Sequence, residues 1–172
     1  MDLCTKEDSA HITVNALELV ITSASIDAIE AYKIDFDEEY QTATLHWNKI
    51  WNKDLRKTLH IVFNGRLNEN LAGFYRGTYQ ANDGKDTHMG LTQFQATDCR
   101  RAFPCWDEPA LKATFDITIT SAKGFSHLSN MPARQRGKNP WKSKNDDLSL
   151  HADHVNLPPC VGYRRFWLCS VE

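Results

Sequence analysis

The sequence predicts an all-β fold: antiparallel sheets arranged as a sandwich or saddle, followed by an irregular C-terminal tail. Three observations carry this. Short apolar stretches alternate with polar residues on a period near two, turn residues interrupt them often, and no stretch sustains a helical period.

The elements follow in order. Residues 11–21 place Ile12, Val14, Leu17, Leu19 and Ile21 partly on the period of a half-buried strand. Residues 16–21 would also suit the start of a helix, but the β-branched side chains and short length favour a strand. Residues 32–36 alternate Tyr, Ile and Phe with Lys and Asp, and residues 42–47 read Thr-Ala-Thr-Leu-His-Trp. Residues 59–63 form another strand, closed by the turn pair Asn64-Gly65. From Gly73 to Gln80 the aromatics Phe74, Tyr75 and Tyr79 sit beside Arg76, Thr78 and Gln80, and Asn82-Asp83-Gly84 signals a loop. Residues 91–96 and 113–120 complete the set.

With 172 residues, 41% of them hydrophobic and 24% charged, the chain is long enough for one domain with a real core. A formal net charge of −2 argues for neither nucleic acid nor an anionic membrane as partner. The charge is unevenly spread: residues 1–132 hold 13 basic and 18 acidic side chains, net −5, while residues 133–172 hold 7 and 4, net +3. That change of sign, the basic turn-rich stretch at residues 134–140 and the pair Pro158-Pro159 divide the chain. Residues 1–132 are expected to form a β-domain and residues 133–172 an aberrant or disordered tail.

Cys4, Cys99, Cys105, Cys160 and Cys169 are odd in number and lack a CxxC spacing, so reduced thiols are expected. No stretch has the length of an apolar membrane span, and the start MDLCTKEDSAH does not resemble a signal peptide. Both point to a cytoplasmic protein.

Residues 92–115, TQFQATDCRRAFPCWDEPALKATF, are the densest in chemistry. Pro104 and Pro109 forbid a continuous ladder, which predicts a strand, an irregular corner and a strand. Asp98, Arg100, Arg101, Asp107 and Glu108 crowd around Phe103 and Trp106. Arg–carboxylate pairs over an aromatic plug would fix such a corner; a functional reading would set one edge of it beside a substrate.

This segment resembles the signature of the aminopeptidase N family of zinc metallopeptidases, in its puromycin-sensitive branch, with Cys99 where that family commonly has Ala. Gly73-Phe74-Tyr75-Arg76 and Leu128-Ser129-Asn130-Met131-Pro132 resemble its flanking strands, and the resemblance covers residues 10–132. It implies an N-terminal β-domain that packs over a thermolysin-like zinc domain in enzymes that remove N-terminal amino acids from peptides. It further implies that Gln95 binds the free α-amino group of the peptide, through an amide oxygen that orients more than it attracts. Gln in place of Glu removes a charge and weakens the attraction for ammonium. Gln93, expected on the same face of the strand, is a second pocket residue.

The zinc of that family needs His-Glu-x-x-His, with Glu as general base. His11, His46, His60, His88, His127, His151 and His154 do not supply it; His151 and His154 are three apart without the Glu, and the GAMEN-like loop is also missing. No zinc is expected on this chain, nor hydrolysis by it alone, and the catalytic domain is its missing partner. A truncated product or a gene model misassembled after Pro132 is one expectation for this arrangement. The alternatives are a non-catalytic peptide- or protein-binding β-module, with Trp47, Trp51, Phe74, Tyr75 and Tyr79 partly exposed, and a non-functional fragment.

Overall fold

The structure, a computed structural model, describes residues 1–54, 56–121, 125–129, 133–138, 148–155 and 166–170. Among these residues the chain is all-β: there is no α-helix, and all strand pairings are antiparallel. It divides into two compact units.

The first unit comprises Met1–Arg66 and Cys99–Asp107. Its strands are β1 (Asp2–Cys4), β2 (Ser9–Asn15), β3 (Leu19–Ile26), β4 (Ile29–Glu30), β5 (Lys33–Asp37), β6 (Thr42–Trp51) and β7 (Arg56–Gly65). They form two sheets, ordered β1-β7-β3-β4 and β2-β6-β5. Both sheets feed one core: Val14 from β2, Leu19, Ile21, Ala24 and Ile26 from β3, Ala43, Leu45, Trp47 and Trp51 from β6, and Leu59 from β7. This is the sandwich that period-two patterning predicts, since alternate residues of each strand face inward. On β6, Ala43, Leu45 and Trp47 are buried while Thr44 and His46 lie on the other face.

Three sequence expectations are corrected in this unit. Residues 11–21 are not one strand. The chain leaves the β2 sheet at Asn15 and enters the β3 sheet at Leu19, turning at Glu18 with φ of 59°. The polar groups of the crossing are satisfied elsewhere: the Ala16 N–H donates to the Gln41 carbonyl at 2.9 Å and the Leu17 N–H to the Arg100 carbonyl at 3.0 Å. The broken alternation in the sequence is the trace of this change of sheet.

Asn64-Gly65 does not turn the chain either. Both residues extend β7, with Gly65 opposite Leu19. A Cβ on Gly65 would stand 2.7 Å from Leu19 Cδ2, so the glycine is there for close packing. Trp47 and Trp51 are core residues, 2% and 3% exposed, and no part of an open aromatic surface. The Trp47 indole N–H finds the Ile29 carbonyl at 2.9 Å, which is how a large amphipathic ring is accommodated inside.

The second unit comprises Leu67–Asp98 and Glu108–Glu172. Its strands are β8 (Gly73–Gln80), β9 (Asp86–Gln93), β10 (Phe115–Ser121), β11 (Phe125–Ser129), β12 (Ala133–Lys138), β13 (Leu148–Val155) and β14 (Phe166–Ser170). The sheets are ordered β11-β14-β9-β8 and β10-β13-β12. The β8–β9 hairpin pairs from Gly73↔Gln93 to Gln80↔Asp86. Its loop is the one expected at Asn82-Asp83-Gly84. Gly84, with φ of 82°, donates its N–H to Ala81, and the Asp83 carboxylate accepts the Lys85 N–H at 3.0 Å. Gly77 lets the strands of this hairpin pack, since a Cβ there would lie 2.9 Å from Leu91 Cδ1.

Of the expected tail, residues 133–138, 148–155 and 166–170 are strands. Residues 139–147, 156–165 and 171–172 lie outside the described residues, as does the expected boundary at residues 130–132.

Candidate functional site: the corner that follows β9

The segment read as strand, corner and strand is built that way. β9 ends at Gln93, a short 3-10 turn spans Cys99–Arg101, and β10 begins at Phe115. The strand is shorter than the sequence suggests, and this changes the placing of the two glutamines. Gln93 is the last residue of β9, half-buried and paired with Gly73. Gln95 lies beyond the strand, in a turn, and is exposed. The same-face relation expected of the pair needs a continuous strand, and the alternation stops at Gln93. The Gln95–Ala96 peptide is cis. Two residues further, the Asp98 N–H closes on the Phe94 carbonyl at 3.0 Å.

Residues 99–107 belong to the sandwich of β1–β7 and are tied to β2. Cys105 and Asn15 exchange two backbone hydrogen bonds, of 2.7 and 3.1 Å. The Asn15 side chain then accepts the Asp107 N–H at 3.0 Å, and the Trp106 indole N–H donates to the Thr13 carbonyl at 2.9 Å. Trp106 remains 38% exposed, and Phe103 is half-buried, so the aromatic plug is only partly covered.

Of the five charged residues singled out, the structure pairs Arg100 with Asp107. The Arg100 backbone N–H and Nε both donate to Asp107 Oδ2 at 3.1 Å, and Nη2 donates to the Asp107 carbonyl at 3.2 Å. Nη1 reaches Gln41 Oε1 at 3.2 Å. The two side chains are 12% and 10% exposed, so the pair is held in a low-dielectric setting where hydrogen bonds on every face offset its desolvation. Arg101 finds a different partner, Glu18 of the β2–β3 crossing, at 2.8 Å. Glu108 is exposed, and its carbonyl accepts the Leu111 N–H at 3.0 Å. Position by position, then, Arg100 and Arg101 fix the corner, and Gln95 stands on an open turn.

The structure also gathers a group that sequence spacing concealed. Ligand atoms of Cys99, Cys105 and Asp107 lie within 4.8 Å of one another. Five residues separate the cysteines, and the 3-10 turn with Pro104 folds that distance away. A search for CxxC spacing passes over such a pair. His151 and His154, weighed as metal ligands, lie on β13. The residues of this chain do not fit the zinc site of a thermolysin-like enzyme, because its sequence has no His-Glu-x-x-His.

Comparison with known proteins agrees with this architecture. The family model for the Peptidase M1 N-terminal domain matches residues 1–153. Aminopeptidase 2 of Candida albicans is 40% identical over 135 residues, covering 78% of this chain and 14% of that protein. Aminopeptidase M1 of Arabidopsis thaliana is 39% identical over 147 residues, 81% of this chain and 16% of the relative. The puromycin-sensitive aminopeptidase of Caenorhabditis elegans is 34% identical over 136 residues, 76% and 14% respectively. The chain thus spans about a seventh of the length of these relatives. With the family model matched over most of its residues, the chain belongs to the Peptidase M1 N-terminal domain family.

Proposed function

We propose that this chain supplies the substrate-amine-binding part of a metalloaminopeptidase, an enzyme that removes N-terminal amino acids from peptides, and that it does not hydrolyse peptides alone. The observation that carries the reading is Gln95, the residue that the family resemblance assigns to the substrate amine, exposed on an irregular turn directly after β9. An amide oxygen on an open turn can accept a hydrogen bond from an α-ammonium without first losing a partner strand. Gln93, half-buried at the strand end and paired with Gly73, is the weaker candidate for contact. The catalytic zinc of such an enzyme would be held by a domain bearing His-Glu-x-x-His, so no step through it is assigned to these residues. The catalytic domain is the partner, a peptide N-terminus the ligand and the cytoplasm the compartment; no described helix is long and apolar enough to cross a membrane.

A second reading has its own observation. β8 carries Phe74, Tyr75 and Tyr79, all half-buried, in a strand whose one described strand neighbour is β9, with Asn68 also bridged to Tyr75. Half-buried aromatics along such a strand suit a peptide- or protein-binding module.

Nuclear magnetic resonance titration of the purified chain with an unblocked tripeptide and its N-acetylated form tests the first reading. Shifts around Gln95 that need the free amine, and that Gln95→Ala removes, support it. Equal response to both peptides, centred on β8, favours the binding module instead. Hydrolysis of an aminoacyl reporter by the chain alone would overturn the claim of inactivity.

A further inference from the structure

We propose that Cys99, Cys105 and Asp107 form a three-ligand site for a thiophilic divalent cation of the zinc and cadmium class. Their ligand atoms already lie within 4.8 Å of one another. Each is positioned by backbone rather than by its own side chain. Cys99 opens the 3-10 turn, its carbonyl accepting the N–H groups of Ala102 at 2.9 Å and Phe103 at 3.1 Å. Cys105 is clamped to Asn15 by the two-way backbone bridge, and Asp107 follows two residues later on the Asn15 side chain. Both bonds from Arg100 to the carboxylate end on Oδ2, which leaves Oδ1 as the donor to a cation.

The spacing of the ligand atoms suits a cation. Metal–sulfur bonds of about 2.3 Å at a tetrahedral ion set sulfurs about 3.8 Å apart, inside the 4.8 Å that encloses the three ligand atoms. Charge favours it as well. Two thiolates balance a divalent ion, while Arg100 already balances Asp107, so the loaded site is neutral. Thiolate ligands select zinc-like ions over magnesium and calcium. Cys105 is 7% exposed and Cys99 half-buried, so the site is sheltered from bulk water. Binding forms two metal–sulfur bonds and releases the two thiol protons to the buffer. Three protein ligands leave a fourth position for water or an outside donor.

The test uses the full chain, reduced and stripped of metal. Cadmium is titrated in, and the thiolate-to-cadmium charge-transfer absorption is followed. One ion per chain is expected, displaced by zinc. Cys99→Ala and Cys105→Ala should each cut the signal at least tenfold, and Cys4→Ala should leave it unchanged. Because Cys105→Ala removes a buried side chain from the corner, alkylation mapping on the unmutated chain provides the second readout. Zinc should protect Cys99 and Cys105 from alkylation while Cys4 reacts at its metal-free rate. A signal that survives Cys99→Ala, protection that falls on Cys160 or Cys169 instead, or a reduced chain that takes up no cadmium would each overturn the proposal.

Discussion

The corner at residues 99–107 and the turn at residues 94–98 are adjacent in sequence and opposite in character. In the first, charged groups are tied to one another: Arg100 spends donors on Asp107 Oδ2 and Gln41, and Asp107 is held from its backbone by Asn15. In the second, a strand ends and Gln95 is exposed on a turn. The difference teaches where to look for function here. Polar side chains locked into mutual bonds specify the fold, while a polar side chain presented at the end of a ladder is able to meet a ligand.

The strongest way to break this contrast is to open the paired corner. Asp107→Ala leaves the Arg100 cation nearly buried without its carboxylate, and a loss of about 3 kcal/mol or more is expected in urea unfolding. A loss within the range of surface substitutions would mean that the corner does not hold the sandwich together. A core comparison sharpens the scale: Leu45→Ala, at a fully buried position, should cost about 2–5 kcal/mol by the same measurement. Gly65→Ala should cost less, about 1–3 kcal/mol, by forcing the new methyl against Leu19.

On the open side, Gln95→Ala should change stability by no more than about 0.5 kcal/mol while removing amine-dependent peptide binding. Gln95→Glu should tighten that binding, more so at low salt, because a carboxylate attracts ammonium where an amide only orients it. If Gln95→Ala instead unfolds the chain, the residue belongs with the structural corner.

The smallest effect is one of pH. The hydrogen bond from Lys57 to Asp27, at 2.5 Å, holds the Asp27 carboxyl below its ordinary value. A depressed carboxyl contributes stability above its unfolded pKa and loses it as pH falls through the folded one. The contribution therefore fades on the acid side of the usual aspartate range. Lys57→Met should flatten that limb of the stability profile slightly, the pair being exposed to solvent.

Much of the fold was legible because period-two patterning survives wherever one strand face is buried. β8 was read with its exact ends, and residues 42–47 and 59–63 fall inside β6 and β7. The failures have physical causes. The sheet change between β2 and β3 looks like a single strand because apolar residues continue through it. Asn64-Gly65 has the chemistry of a turn but is extended to pack against Leu19. Trp47 and Trp51 were read as a surface because aromatic side chains alone do not say which face they occupy.

By itself, the sequence determined the all-β class, most of the strands and the family, since alternation, turn residues and a long motif are local properties of the chain. Only the tertiary structure decided which charges are paired, where the strand before Gln95 stops, and that two cysteines six residues apart share a carboxylate neighbour. Those depend on which backbones are brought side by side, and Asn15, distant in sequence, is what brings Cys105 and Asp107 to their places.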